Sequence, residues 1–265
     1  MKNVQALFLL GSLYIVSACH FTDSTPPVLE KQQYKFAGSS RCDTAKNSGV
    51  DVSVAYVLLK DDSEGGRKIN DSLRILAVNS VLSWLDSETV AQHPDAQTDL
   101  DKAASLFASD YDIMRKDMGN LGGCWEVKTI ADTLHANPKV VAVKYETFSY
   151  TGGAHPNSSV SFYNFDRQTG QMLTLEDVVS DTTSLRNLVE KSFRKQQAVA
   201  PGNNLEEKGY FLRDGQFFLP ANFGIGAQGI LFYYNPYEIA AYAVGPIQVM
   251  VPYTQLDGVL RKDWF

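Results

Sequence analysis

The run Tyr145 to Asp177, YETFSYTGGAHPNSSVSFYNFDRQTGQMLTLED, decides the fold. Just before and into it, from Val140 to Tyr150, the side chains alternate. Val141, Val143, Tyr145, Thr147 and Ser149 share one face; Ala142, Lys144, Glu146, Phe148 and Tyr150 share the other. A period of two predicts a strand. Gly152-Gly153-Ala154-His155-Pro156-Asn157 follows, dense in residues that accept positive φ or fix a turn. A second β-branched and aromatic run, Ser159 to Phe165, is closed by Asp166-Arg167-Gln168-Thr169-Gly170, a loop signal. The centre is therefore expected to be a β-meander whose first loop holds the most unusual residue cluster.

Working outward, Val50 to Leu59 predicts a strand with Val50, Val52, Val54, Tyr56 and Leu58 on one face, ended by the polar run Asp61 to Gly66. Ile69 to Leu85 carries an apolar helical face, with Asn70 or Ser72 as caps. Thr98 to Met118 is the clearest helix, with Thr98 and Asp101 as a capping box and Gly119 as its stop. Asp181 to Gln197 gives a third helix, its basic residues near the C-terminal end where the helix dipole favours them. Phe217 to Leu219, Ile230 to Tyr234 and Ile247 to Val251 read as short strands, and Tyr253 to Leu260 as a closing helical turn. Strands and helices do not alternate regularly. The expected class is α+β, a mainly antiparallel sheet with helices packed on one face, in two intimately associated subdomains.

The chain has 265 residues and a formal net charge of −6, and no cluster of Lys and Arg marks a nucleic-acid footprint. Lys2, the apolar stretch Ala6 to Val16 and the small residues before Cys19 read as a signal segment over residues 1–18. Cys19 then stands where a bacterial lipoprotein is lipidated, with an ordinary secretory signal as the other reading. His20 rather than Asp follows it, which points to the outer membrane facing the periplasm of a Gram-negative host. Residues 19–41, with Pro26-Pro27, read as the lipidated cysteine and a tether. Cys42 and Cys124 are an even pair in an exported chain, which suggests a disulfide; two separately buried thiols is the alternative.

No GxSxG elbow, HExxH, Walker loop or EF-hand loop occurs, and no cofactor or metal set is read. His155 has three readings: holding its own loop, touching a ligand, or acting as a general base. Glu176-Asp177 after Thr174 reads as a helix cap rather than a catalytic pair. The aromatic surplus toward the C-terminus suits a core, with glycan stacking or a protein interface as the other use.

Tyr150-Thr151-Gly152-Gly153-Ala154-His155-Pro156-Asn157, Tyr163-Asn164-Phe165-Asp166 and Leu173-Thr174-Leu175-Glu176-Asp177 resemble the extracellular RsiV-type domain, domain-of-unknown-function family 3298. Tyr234 to Ala240 and Val249 to Tyr253 fit the end of the same domain. The resemblance implies a PdaC/RsiV-like N-terminal subdomain over residues 42–150 and an RsiV-like C-terminal subdomain over 151–265. It implies a non-enzymatic envelope lipoprotein that binds a lysozyme-like protein or peptidoglycan fragments. The alternative is an envelope hydrolase or deacetylase using His155 and nearby carboxylates. The expected binding residues are Tyr150, Gly152, Gly153, His155, Asn157 and Tyr237, on the loop and beside it. The expected partners are therefore that protein or glycan, and a membrane through the lipid anchor, but not nucleic acid.

Overall fold

The computed structural model describes residues 26–118, 123–261 and 264. Cys19, the expected signal segment and the Gly119 helix stop lie outside them. A five-stranded sheet in the order β1-β2-β3-β4-β5 is built from Leu29–Lys35 (β1), Gly49–Leu59 (β2), Cys124–Ala136 (β3), Val140–Tyr150 (β4) and Asn157–Asp166 (β5). A three-stranded antiparallel sheet follows, from Phe223–Ile225 (β6), Gly229–Tyr234 (β7) and Ile247–Pro252 (β8). The helices are Glu64–Leu82 (α1), Ser87–Gln92 (α2), Leu100–Met118 (α3), Leu175–Val178 (α4) and Thr182–Gln196 (α5). The class is α+β, as the residue pattern predicts. The meander of β3, β4 and β5 is antiparallel throughout, whereas β2 and β3 run parallel, joined by the crossover that holds α1 and α3.

One face of the large sheet is buried by those two helices. Val50, Val52 and Val54 of β2 and Trp125 and Val127 of β3 meet Ala77 and Val81 of α1 and Phe107 and Tyr111 of α3. Further along, Val141, Val143 and Tyr145 of β4 pack with Ile69 and Leu73 of α1. The opposite face is covered at one end only. There Val140 and Ala142 join the core formed by the small sheet and by Leu185, Val189 and Phe193 of α5. Helices therefore lie directly on one side of the large sheet, with the small sheet and α5 layered over part of the other. Val140 to Val143 are buried on both faces for this reason.

Several expectations change at this level. The stretch read as tether contains β1, whose backbone pairs with β2 from Leu29↔Leu59 to Lys35↔Ser53. The buried side chains of β2 include Val57 and Leu59 as well as Val50, Val52 and Val54, while Tyr56 and Leu58 are partly buried against the core. Helix α1 begins at Glu64, capped by Ser63 Oγ, which accepts from Gly66 N at 3.0 Å. The Gly65-Gly66 pair serves close packing rather than loop mobility. A Cβ on Gly65 would lie 2.2 Å from Arg167 O, and one on Gly66 would lie 2.4 Å from Asp61 O. Asn70 is then inside the helix, where it bridges Leu59 by accepting from N at 2.6 Å and donating to O at 2.9 Å. Asp99, not Thr98, caps α3 by accepting from Lys102 N at 3.1 Å. Phe217 to Leu219 is irregular chain whose phenylalanines fill the core beneath α5, and Phe223–Ile225 forms the strand instead. The expected closing turn is a 3-10 turn at Tyr253–Gln255 followed by irregular chain.

The division between residues 150 and 151 falls at the β4–β5 hairpin, so the two expected subdomains share one sheet. Their join is made by asparagines. Along the outer edge of β5, Val160 N donates to Asn235 Oδ1 at 2.8 Å, and Phe162 N donates to Asn222 Oδ1 at 2.8 Å. Asn164, itself buried, donates to Phe223 O at 2.9 Å and accepts from Ile225 N at 2.8 Å. Amide side chains thus stand in for a strand and satisfy an edge that would otherwise be buried unpaired. Gly224 allows the approach, since a Cβ there would lie 2.6 Å from Leu134 Cδ2.

Candidate functional site

Where the small sheet stops covering the large one, a groove of about 850 Å³ opens. Its floor is the outward face of β3, β4 and β5, and the pairing register fixes which side chains lie abreast. Lys128, Phe148 and Ser158 form one row, and Ile130, Glu146 and Val160 the next. Glu126, paired with Tyr150, extends the floor by one step. The wall comes from the other sheet: Tyr233 of β7, then Pro236, Tyr242, Gly245 and Pro246 of the β7–β8 connection. Tyr233 is seated edge-on against Phe162, with ring centroids 6.1 Å apart. The connection is pinned at its start by Asn235, which also donates from Nδ2 to Val160 O at 3.0 Å.

The loop between β4 and β5 closes the rim. Its Pro156 carbonyl accepts from His155 Nδ1 at 2.9 Å and from Tyr242 Oη at 3.2 Å, tying the two loops together. The His155 and Tyr242 rings stack at 4.3 Å, and the Tyr237 ring lies 5.3 Å from that of Tyr242. Tyr237 is 59% exposed and holds φ at +69°, a conformation that costs a non-glycine residue free energy. Tyr150 donates to Gly153 O at 3.1 Å and so shapes the turn. Among the described residues no carboxylate pairs with His155.

None of the six residues singled out from sequence lines the groove itself. His155 and Tyr237 back its wall through Tyr242, Tyr150 and the two glycines shape the adjoining turn, and Asn157 opens β5 opposite Ser149. The floor residues Glu126, Lys128, Glu146 and Phe148 went unremarked as a site. Their signal was present in β4, where Lys144, Glu146, Phe148 and Tyr150 share a face that no hydrophobic partner claims. Asp177 is the helix cap expected, accepting from Thr174 N at 2.8 Å.

Charge in the groove is mixed. Glu146 pairs with Lys144, but Glu126 and Lys128 make no ion pair among the described residues. Burial, and then the charge of Glu146, push the Tyr233 phenol up, so it remains a neutral donor. Burial also raises Glu238 beside the wall, against the pull of Asn235 N, which donates to its Oε2 at 3.0 Å. Among the described residues no group of three His, Cys, Asp or Glu is placed to hold a metal ion. No helix among them is long and apolar enough to cross a membrane.

Residues 176–254 match the family described as a protein of unknown function, DUF3298. The matched span begins at Glu176, so the Tyr150–Asn157 run lies outside it. Two solved proteins of that family have similar folds. One, from Bacteroides fragilis, has a TM-score of 0.67 at 21% identity over 89% of this chain and 95% of that one. The other, from Pseudomonas aeruginosa PAO1, has a TM-score of 0.60 at 17% identity over 91% and 98%. Among curated proteins, the immunogenic protein MPB64 of Mycobacterium bovis is 26% identical over 127 residues, 45% of this chain and 51% of that protein. The peptidoglycan-N-acetylmuramic acid deacetylase PdaC of Bacillus subtilis is 21% identical over 135 residues, 49% of this chain and 28% of that enzyme. The matches thus span about half of MPB64 and less than a third of PdaC. Residues 176–254 match the DUF3298 family model, and the fold is similar to that of solved proteins of that family.

Proposed function

We propose that the protein is a binding protein of the cell envelope that holds peptidoglycan fragments in the groove between β3–β5 and the β7–β8 connection. The similarity to a peptidoglycan deacetylase and the DUF3298 match point to the envelope. The observation that carries the binding reading is the groove's make-up: Phe148, Tyr233 and Tyr242 offer aromatic surface beside Glu126, Lys128 and Glu146. That mixture suits a ligand with both apolar faces and polar groups, as a glycan with attached peptide has. His155 acts here as a loop anchor and a backing for Tyr242. In this reading Cys19 carries a lipid, and the protein faces the periplasm from the outer membrane. A second ligand, a basic lysozyme-like protein as the RsiV-type resemblance implies, is favoured by the net charge of −6, which would speed encounter with a cation.

Titration calorimetry of the full-length protein with a soluble disaccharide-tetrapeptide, and separately with a lysozyme, tests this. Binding of the muropeptide that weakens at least about tenfold in Tyr242→Ala, an aromatic truncation, supports the reading. Equal binding by a folded Tyr242→Ala protein moves the site elsewhere. No heat with the muropeptide, but saturable heat with lysozyme, replaces the first ligand by the second.

A further inference from the structure

The edge of β5 within the groove holds an unused hydrogen-bonding position. Successive residues of a strand point their amide and carbonyl to opposite sides, so every second residue faces away from β4. Val160, Phe162 and Asn164 form that outward row. Val160 N and O are taken by Asn235, Phe162 N by Asn222, and Asn164 O by Leu173 N at 2.7 Å. Ser158 is the next member of the row. It lines the groove, and its outward amide and carbonyl have no partner among the described residues. An open strand edge binds peptide backbone, because peptide amides offer the donor and acceptor it lacks.

Ser158 lies in the same row as Lys128, with Phe148 between them. Two strand spacings separate their backbones by about 10 Å, roughly the span of three extended residues. At the far end Lys128 and Glu126, two positions apart on one face of β3, offer a cation and an anion that make no ion pair among the described residues. Neither charge is needed by a neutral sugar. Both are answered by a short peptide with a free carboxylate and a free ammonium.

We infer that the groove recognises the peptide stem of a peptidoglycan fragment rather than its sugar chain: Ser158 pairs with a stem amide, Phe148 underlies the stem, Lys128 takes a carboxylate and Glu126 an ammonium. This rests on the peptidoglycan-binding reading above and names the part of the fragment that is held. A neutral N-acetylglucosamine tetramer brings no charge to answer either Lys128 or Glu126.

The experiment compares three probes by titration calorimetry with the full-length protein: a disaccharide-tetrapeptide, the free stem tetrapeptide, and the N-acetylglucosamine tetramer. The variants are Lys128→Met, which keeps the apolar stem of the side chain, Glu126→Gln, and Ser158→Pro, which removes the edge amide at a position where proline is tolerated. Each is checked for an unchanged melting temperature. The expected result is comparable affinity for the first two probes, no measurable binding of the tetramer, and at least about tenfold weaker peptide binding in Lys128→Met with a reduced salt dependence. Should Ser158→Pro unfold, the two charge variants still decide. Muropeptide binding that the tetramer matches, or that none of the folded variants weakens, overturns the inference while leaving the protein a peptidoglycan binder. If no probe binds the wild type, the peptidoglycan reading itself falls.

Discussion

Removing the Cys42–Cys124 bridge is expected to lower stability by about 4–5 kcal/mol, through the unfolded chain more than through the native one. The bridge joins residues 82 apart in sequence. For a loop of that length the chain-entropy relation gives roughly 15 cal/mol/K, or about 4.5 kcal/mol at 25 °C. The native side has little to lose. Cys124 opens β3 opposite Gly49, and Cys42 is held independently by its N–H to Val50 O at 2.7 Å. The segment before β2 is anchored again by Val50 N to Ser40 O at 2.8 Å and by Gly49 N to Tyr111 Oη at 2.7 Å. Cys42→Ala/Cys124→Ala should therefore fold, bind like wild type, and melt about 9–18 °C lower, at 2–4 °C per kcal/mol for a chain of this size. Its unfolded state, no longer cross-linked, should also be more expanded and give a steeper denaturant dependence. The assay is urea and thermal unfolding of the oxidised wild type against the double variant, monitored by circular dichroism. Midpoints within about 1 °C of each other, or two freely alkylated thiols in the native wild type, would refute the reasoning.

Three further outcomes follow from named contacts. Asn164→Leu keeps the volume but strands Phe223 O and Ile225 N in the core, and should cost about 2–4 kcal/mol in urea unfolding; a loss below about 1 kcal/mol would mean that the join between the sheets does not depend on it. His155→Ala removes the bond to Pro156 and the Tyr242 stack of a partly buried side chain on a largely exposed loop. It should cost about 1 kcal/mol and weaken muropeptide binding; intact stability with a lost wall-cleaving activity would instead make the histidine catalytic. Burial pushes the Asp61 carboxyl up, but Ser63 N–H and the Arg167 guanidinium at 3.2 Å outweigh it and leave it below the usual carboxylate range. Its stabilising contribution is then complete above about pH 4 and lost as pH falls through its folded-state value. Asp61→Asn should accordingly narrow the stability difference between about pH 6 and pH 3, measured by thermal melting at each pH.

The strands were legible where one face is buried and the other wet. β4 and β5 were read almost to their ends, β4 because Val143 and Tyr145 alternate with Lys144 and Glu146. The helix start at Glu64 was not, because two glycines look like a loop. Their role appears only when Arg167 and Asp61 backbones arrive from elsewhere in the chain. β1 was missed because Leu29 to Lys35 is an edge strand rich in Lys, Glu and Gln, the composition by which an edge avoids aggregation. Phe217 and Phe218 carried strand-like residue types but bury their rings from irregular chain against Phe193 and Tyr234. The loop around His155 was found as unusual sequence, yet the groove floor beside it was not. Its residues come from three strands and acquire a common face only through register.

That register also explains why the gap lies where it does. Three asparagines extend the pairing of β5 from Asn164 back to Val160, Asn164 reaching from β5 to β6 while Asn222 and Asn235 reach to β5 from beside the small sheet. Beyond Val160 the small sheet turns away at Asn235, whose N–H is committed to Glu238. The β7–β8 connection then meets the β4–β5 loop through Tyr242, which bonds to Pro156 rather than to β5. Between these two attachments, at Val160 and Pro156, the chain passes over one outward residue, Ser158. Both flanks are fixed by hydrogen bonds and the floor by paired strands, so the opening is a property of the folded frame. A ligand entering it meets an edge already in strand geometry, and little ordering of the protein has to accompany binding.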